Sequence, residues 1–317
     1  MNAAIIDTLE KRETTFKKNL KDSNGKVFEI TETTKIGESS IYRLWTKDQS
    51  YYYTSKAKKT QICLHFTVGS ITGDIATLTK PDNKVSVHYV VDRLGNIYNL
   101  IPLDKEKNWS YHLGAKCIGT NGVMSKSAIG IEISNYGPLN RHSDGYYNAY
   151  KQLYCVEDRH VENILFRNYN YYSRMTEAQK TAVYELVNWL CEQCDIPHNY
   201  KLEGMFENDK CAQEFTGIFT HAQVRKDKFD LPYAQVKYIK EKWEESLLPP
   251  EPVKKEEPVK TEDITFAEIR KNVENSTTQI KTSIKTIKSN QVTVKEDKPW
   301  YVEILDMITG LFAKIKN

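Results

Sequence analysis

The alternation of apolar and polar residues predicts several β-strands in the first half of the chain. The segment QICLHFTVG, residues 61–69, is mostly apolar and ends at a glycine, which is typical of a buried strand. Residues 85–92 and 93–102 predict a hairpin that turns at Gly95. Residues 127–135 predict a fourth strand.

Further along, the period of the pattern changes from that of strands to that of helices. Residues 175–197 predict a helix because Thr176 can cap its start and Pro197 lies beyond its end. Its apolar face comprises Ala182, Leu186, Trp189 and Leu190. Residues 233–248 predict a second helix. We therefore expect a mixed α/β fold, with a central, mostly mixed β-sheet flanked by helices.

Composition divides the chain into four regions. We expect residues 1–57 to be an N-terminal extension that packs on the body, and residues 58–246 to be the main domain. Within that domain, residues 136–174 are rich in Tyr, Asn and Arg, have no clear period, and predict an insertion near the rim of a site. Residues 247–263 predict a Pro/Lys/Glu linker, and residues 264–317 predict a helical tail.

The tail leaves several alternatives open. Residues 266–287 carry a broken heptad, and residues 299–317 place Ile304, Ile308 and Leu311 on one helical face. Docking on the body or self-association is the simplest interpretation. A virion partner and contact with a membrane surface are the alternatives, although the polar face is not strongly cationic.

Charge and cysteine content exclude some classes of protein. A formal net charge of +3 over 317 residues is too weak to indicate nucleic-acid binding. The N-terminus lacks the apolar segment of a secretory signal, so we expect synthesis in the cytoplasm. The six cysteines are then expected to be reduced thiols, and Cys191 and Cys194 to be core residues rather than ligands of a structural zinc.

Among the seven histidines, His65 and His221 are candidates for a metal site. His65 lies at the end of a predicted strand and His221 opens a late, charged loop. A catalytic zinc needs three protein ligands and one open position, yet no H-E-x-x-H helix motif is present. From the residues alone, both a metal site and simple hydrogen-bonded histidines remain possible.

Six segments, in the same order and with sensible separations, resemble the zinc-dependent N-acetylmuramoyl-L-alanine amidases of type 2. This family includes phage amidase-type lysozymes, muropeptide-recycling amidases and peptidoglycan-recognition proteins. The resemblance covers roughly residues 58–240. The segments are HFTVGS, VSVHYVVDRLGNIYNL, WSYHLG, AIGIEISN, TEAQ and THAQVRKDKFD.

The resemblance implies one catalytic Zn²⁺ with three ligands, His65, His221 and Asp230. It implies that Glu132, in the segment IGIE, is the catalytic acid–base, and that Lys228 offsets charge on the tetrahedral oxyanion.

Two further histidines come from the same resemblance. His112 and His88 are expected to contact substrate. Some amidases carry a tyrosine directly before the position of His88. This chain has Val87 there, so Glu132 must be the base.

The resemblance therefore implies a peptidoglycan hydrolase that cuts between N-acetylmuramic acid and L-alanine. With the linker and tail, it favours a phage endolysin that reaches the cell wall after holin-type release, or an enzyme carried in a virion. A recycling amidase is a further alternative. A non-catalytic peptidoglycan-binding module is another, although such modules typically lose a zinc ligand.

Overall fold

A computed structural model describes residues 4–22 and 25–248. Within these residues a central eight-stranded sheet has the order β1-β2-β5-β4-β6-β3-β13-β12. The last five strands of this order, β4 to β12, pair in parallel, whereas β1–β2 and β4–β5 are antiparallel pairs. The strands are β1 Glu29–Ile36, β2 Ser39–Trp45, β3 Gln61–Phe66, β4 Tyr89–Val91, β5 Ile97–Asn99, β6 Ala128–Ile133, β12 Tyr200–Lys201 and β13 Gly217–Thr220.

A second, antiparallel sheet is built from residues 138–173, inside the segment that the sequence suggested was an insertion. Its order is β10-β11-β7-β8-β9. The hydrophobic pattern of this segment has no strand or helix periodicity, so the sequence did not predict these five strands. They are β7 Pro138–His142, β8 Gly145–Tyr147, β9 Leu153–Cys155, β10 Val161–Phe166 and β11 Tyr169–Ser173.

Six α-helices accompany the sheets within the described ranges. They are α1 Ile6–Asn19, α2 Ile71–Leu78, α3 Asn121–Ser127, α4 Glu177–Cys194, α5 Asp209–Glu214 and α6 Tyr233–Ser246. Short 3-10 turns occur at Asp158–His160 and His221–Gln223. None of the helices in this part of the chain is long and apolar enough to cross a membrane.

The strongest helix forms as the sequence predicts. The Thr176 hydroxyl accepts a hydrogen bond from the Gln179 amide and caps α4. The helix buries Leu186 and Leu190 in the main core against the central sheet, while Trp189 is partly buried. The predicted hairpin also forms, since β4 and β5 pair antiparallel around Gly95, whose φ is 80°.

The N-terminal region adds two strands to the central sheet as well as packing against it. Strands β1 and β2 extend the central sheet at one edge, through the parallel pair β2–β5. Helix α1 buries Phe16 against Phe28 and Tyr98, with ring centroids 6.4 and 5.4 Å apart. The predicted tail, residues 264–317, and nearly all of the predicted linker lie outside the described residues.

Candidate metal centre

The first half of the site comes from two neighbouring parallel strands. In the register of β3 and β6, His65 lies directly opposite Glu132. Paired residues in a parallel ladder point to the same face of the sheet. Both residues are the fifth of six in their strands, so they lie near the carboxyl edge, where open α/β sheets place their ligands.

His221 arrives from the other side of β3. Strand β13 pairs with β3 so that its last residue, Thr220, lies opposite Leu64. The next residue, His221, therefore emerges beside His65. The chain turns here because Gln223 accepts a hydrogen bond from the backbone amide of Thr220 at 2.8 Å and from its hydroxyl, closing a capping box.

The third predicted ligand, Asp230, ends the loop that follows, residues 221–230, which we call the metal loop. The amide of Ala222 donates to the carbonyl of Asp230 at 2.8 Å and closes the loop at its base. Asp230 thereby places its carboxylate beside both histidines. His65, His221 and Asp230 are 1%, 3% and 4% exposed, so three polar groups are buried together.

The donor atoms of these three residues fit a metal ion. Nδ1 of His65 and Nδ1 of His221 are 3.0 Å apart, and Oδ2 of Asp230 lies 3.4 and 3.0 Å from them. Tetrahedral zinc with bonds of about 2.0–2.1 Å needs ligand atoms about 3.3 Å apart. Two imidazoles and a carboxylate are also a donor set that zinc accepts. This group could therefore hold a metal ion.

Hydrogen bonds on the far side of each ring leave Nδ1 free for a metal. Nε2 of His221 lies 2.9 Å from the carbonyl oxygen of Leu113, which can only accept, so Nε2 carries the proton. Nε2 of His65 lies 3.0 Å from Nδ1 of His112, and Nε2 of His112 lies 3.4 Å from the carbonyl of Ala128. One choice of tautomers satisfies both contacts. Nε2–H of His65 donates to Nδ1 of His112, and Nε2–H of His112 donates to the carbonyl of Ala128.

The protonation states of the ligands also suit a cation. Burial, with His221 and Lys228 nearby, lowers the pKa of His65 to about 4, so the ring is neutral at pH 7. Burial alone would raise the pKa of Asp230. The adjacent His221 and His65, with their hydrogen bonds, instead hold that pKa below its usual value and keep the carboxylate ionised.

A second group, Cys63, His65 and His112, also lies within ligand distance. It is the weaker candidate. Burial, with Asp230 and Glu132 nearby, raises the pKa of the Cys63 thiol well above its usual value, whereas a zinc ligand must be a thiolate. Both ring nitrogens of His112 are already engaged in hydrogen bonds.

Glu132 and Lys228 complete the surroundings of the ligands. Oε2 of Glu132 is buried and has no hydrogen-bond partner within the part of the chain that is described. Burial, together with the carboxylates of Asp230 and Asp74, raises the pKa of Glu132 well above its usual value, and Lys228 opposes this rise. The Lys228 side chain is half-buried and makes no recorded hydrogen bond or ion pair among the residues described, so its ammonium stays available.

The remaining residues implied by the resemblance lie elsewhere. His112 is 8% exposed and sits behind His65, on the side away from Asp230. His88 is fully buried; its Nε2 lies 3.2 Å from the carbonyl of Asn108 and its Nδ1 accepts from the amide of Gly130. Substrate contact by either histidine stays a prediction, and this geometry offers no support for it.

Some residues at the site were not found from the sequence. Gly130 lies under the His112 ring, where a Cβ atom would be 3.2 Å from the ring. The carboxyl of Asp74 accepts hydrogen bonds from Thr67 at 2.8 Å and Ser134 at 2.6 Å, and burial raises its pKa to about 6. Gly130 lies in the segment IGIE, from which only Glu132 was given a role, and Asp74 lies in no segment that the sequence singled out.

Comparison with known proteins adds the family. A model of the N-acetylmuramoyl-L-alanine amidase family matches residues 55–231. No curated protein gives a significant match. Among solved structures, the E. coli amidase AmiD bound to an anhydro-N-acetylmuramic acid peptide is 19% identical, with a TM-score of 0.36; the match covers 58% of this chain and 57% of that one.

Two further structures have similar scores. PlyL is 15% identical, with 66% of this chain and 94% of that chain covered and a TM-score of 0.35. The amidase LysC from Clostridium intestinale is 14% identical, with coverages of 64% and 97% and a TM-score of 0.35. The family match itself spans more than half of the 317 residues. This chain therefore belongs to the N-acetylmuramoyl-L-alanine amidase family.

Proposed function

We propose that this chain hydrolyses the amide between N-acetylmuramic acid and L-alanine in peptidoglycan, using one zinc ion held by His65, His221 and Asp230. The observation that carries the proposal is the convergence of three buried donor atoms within 3.4 Å of one another. Glu132 lies on the neighbouring strand, opposite the first of these ligands. When bound, zinc polarises the scissile carbonyl and lowers the pKa of water.

In this proposal Glu132 moves the proton. It takes a proton from the attacking water as the oxygen bonds to the carbonyl carbon. It then gives that proton to the alanine nitrogen as the C–N bond breaks. Its surroundings suit both steps, because burial and nearby carboxylates favour the protonated form while Lys228 and a bound cation favour the carboxylate.

Lys228 supplies positive charge for the oxyanion. Its ammonium acts electrostatically on both His65 and Glu132, which supports a role close to the metal centre. It makes no recorded side-chain hydrogen bond or ion pair in the ranges described. A nearby cation that is not already paired can stabilise negative charge that develops only during the reaction.

A cleft that reaches Glu132 supports the proposal that substrate binds beside this residue. A cleft of about 450 Å³ is lined by Thr67, Ser70, Asp74, Glu132 and Tyr150, among others. Small-molecule sites typically measure about 300–1,000 Å³, so one sugar or a short stretch of stem peptide fits. Tyr150 is 64% exposed at the rim, where its ring can pack against a sugar face.

We also propose a lytic context at the cell wall, as for a phage endolysin. Support comes from the sequence of residues 247–263 and 264–317, which adds a Pro/Lys/Glu-rich linker and an amphipathic tail to the catalytic region. Mass spectrometry of purified virions would distinguish the two lytic routes, because a virion enzyme is present in particles and a holin-released enzyme is absent.

Zymography on purified cell walls, combined with zinc analysis, tests the activity. Wild type should clear the wall in the presence of zinc. Glu132→Ala should retain stoichiometric zinc and lose hydrolysis, whereas Glu203→Ala, a change at an exposed position, should behave as wild type. Loss of zinc in Glu132→Ala would mean that Glu132 is a ligand. Retained wall binding without clearing by wild type would instead indicate a non-catalytic binding module.

A further inference from the structure

The antiparallel sheet of residues 138–173 contacts the metal loop through one side chain. Arg167 lies in the turn between β10 and β11, with a φ of 47°. Its Nη1 donates to the carbonyls of Arg225 and Lys228, both at 2.6 Å, and its Nη2 donates to the carbonyl of Ala222 at 2.7 Å. One guanidinium thus bridges three points of the ten-residue metal loop.

The metal loop has few strong hydrogen bonds of its own. Its Val224 and Arg225 amides both donate to the carbonyl of His221 at 3.2 Å, and the Lys228 amide donates to Arg225 at 3.4 Å. These are longer than the usual distance of about 2.9–3.0 Å, whereas the bonds from Arg167 are shorter and charge-assisted. The bond between Ala222 and Asp230 closes the loop at 2.8 Å, and the amides of Ile118 and Phe206 donate to Val224 and Gln223 at 2.8 and 3.0 Å. Arg167 adds the charged contacts, and it is the residue that bridges the stretch from Ala222 to Lys228.

Other contacts from the same sheet reinforce this support. The ring of Tyr169 packs edge-on against Phe229, with centroids 5.4 Å apart. Nε2 of Gln235, just beyond the loop, donates to Glu162 at 2.8 Å and to the carbonyl of Ser173 at 3.0 Å. The sheet thus contacts the chain on both sides of Asp230, at Phe229 and at Gln235.

Arginine suits this position for chemical reasons. Its planar fork reaches several carbonyls at once, and it stays protonated even though burial lowers its pKa here. Its positive charge also lies near Asp230, which opposes that lowering. A lysine would supply the charge but not the fork.

We propose that Arg167 is a positioning residue that holds the metal loop in its zinc-binding arrangement before the metal arrives. A loop that is already ordered loses less conformational entropy on binding, so the affinity for zinc rises. The segment 138–173 thereby acquires a role in metal binding, although none of its residues is a ligand. This inference rests on the proposed zinc site.

Two measurements on the full chain test the proposal. Chelator competition should show that Arg167→Ala binds zinc about 10–100-fold more weakly, the range found for partners of metal ligands. Hydrogen exchange of the metal-free protein should be faster at residues 221–230 and unchanged in α4. Arg159→Ala is the matched control, because Arg159 is an exposed arginine of the same segment that pairs with Glu157.

The conservative variant keeps the test decisive. Arg167→Lys should fall between wild type and Arg167→Ala in both measurements, and it carries the test if the alanine variant does not fold. Unchanged zinc affinity and unchanged loop exchange in these variants would overturn the proposal. Failure of the wild type to bind zinc would refute the proposed function instead, while loop exchange in the metal-free protein would still report on the role of Arg167.

Discussion

Glu13 allows a stability prediction whose sign and size follow from its surroundings. The side chain lies on α1 with no exposed surface, and neither oxygen has a hydrogen-bond partner among the residues described. Burial and the nearby carboxylates of Asp92 and Asp74 raise the pKa of Glu13 to about 8, against the opposing effect of Arg93. The folded protein therefore favours the protonated, neutral carboxyl.

This raised pKa makes the folded state less stable as pH rises. The reference pKa of glutamate is 4.5, so between pH 4.5 and about 8 the folded protein binds one more proton here than the unfolded chain. The stability contributed by the neutral carboxyl is complete below this window and is lost through it. For Glu13 the linkage relation gives a loss of about 2–3 kcal/mol between pH 5 and 7. Glu13→Gln keeps the shape, cannot ionise, and should remove this loss.

Urea unfolding at pH 5, 6, 7 and 8, at a fixed zinc concentration, measures the effect. The free energy of unfolding of Glu13→Gln minus that of wild type should grow from under about 1 kcal/mol at pH 5 to about 3 kcal/mol at pH 7. Titrating groups that do not interact with Glu13 cancel in this difference. Glu10→Gln, at an exposed position of the same helix, should show no such trend. A difference that does not change with pH would refute the reasoning.

Three further predictions concern the metal centre. Lys228→Ala should lower kcat by about 10²–10³-fold, as for loss of an oxyanion contact, whereas Lys226→Ala, at an exposed position, should change it little; steady-state kinetics decide. His112→Ala should weaken zinc binding about 10–100-fold in chelator competition, because His65 loses its Nε2 acceptor; unchanged affinity contradicts this. Gly130→Ala places a methyl 2.9 Å from Cγ1 of Val87 and 3.2 Å from the His112 ring. The added methyl overpacks this site and should lower the free energy of unfolding, measured with urea, by about 1–3 kcal/mol. An unchanged free energy of unfolding would contradict this.

The parts of the fold that the sequence predicts are those with a strong local signal. Strands β3 and β6 are apolar runs buried in the middle of the sheet, and α4 has a period, a cap and a proline beyond its end. Strand β1, with the sequence EITETTKI, is an edge strand that is exposed along most of its length. It has no buried face to impose alternation, so its pattern resembles that of a loop.

The sheet at 138–173 was missed for a related reason. Strand β10 exposes Leu165 at 80% and buries only Val161 fully, so apolar and polar positions do not follow the period of a half-buried strand. Its turn residues, Arg167 and Asn168, both have positive φ, which sequence patterns associate mainly with glycine.

The candidate site also contains residues that a local sequence signal predicts and residues that it does not. The identities of His65, Glu132, His221 and Asp230 follow from a motif resemblance, and the structure brings these four side chains together. The place of His112 does not follow, because its position behind His65 depends on contacts with His65 and Ala128, which are distant in sequence.

The four residues also differ in how their positions are secured. His65 and Glu132 are fixed by direct register between two central strands, which pair over all six of their residues. His221 and Asp230 lie on a loop whose internal backbone hydrogen bonds are mostly long and whose external bonds come from Arg167 and from the amides of Ile118 and Phe206. Local opening in a protein begins where few buried bonds resist it. Loss of zinc should therefore begin with the metal loop, while His65 and Glu132 keep their places.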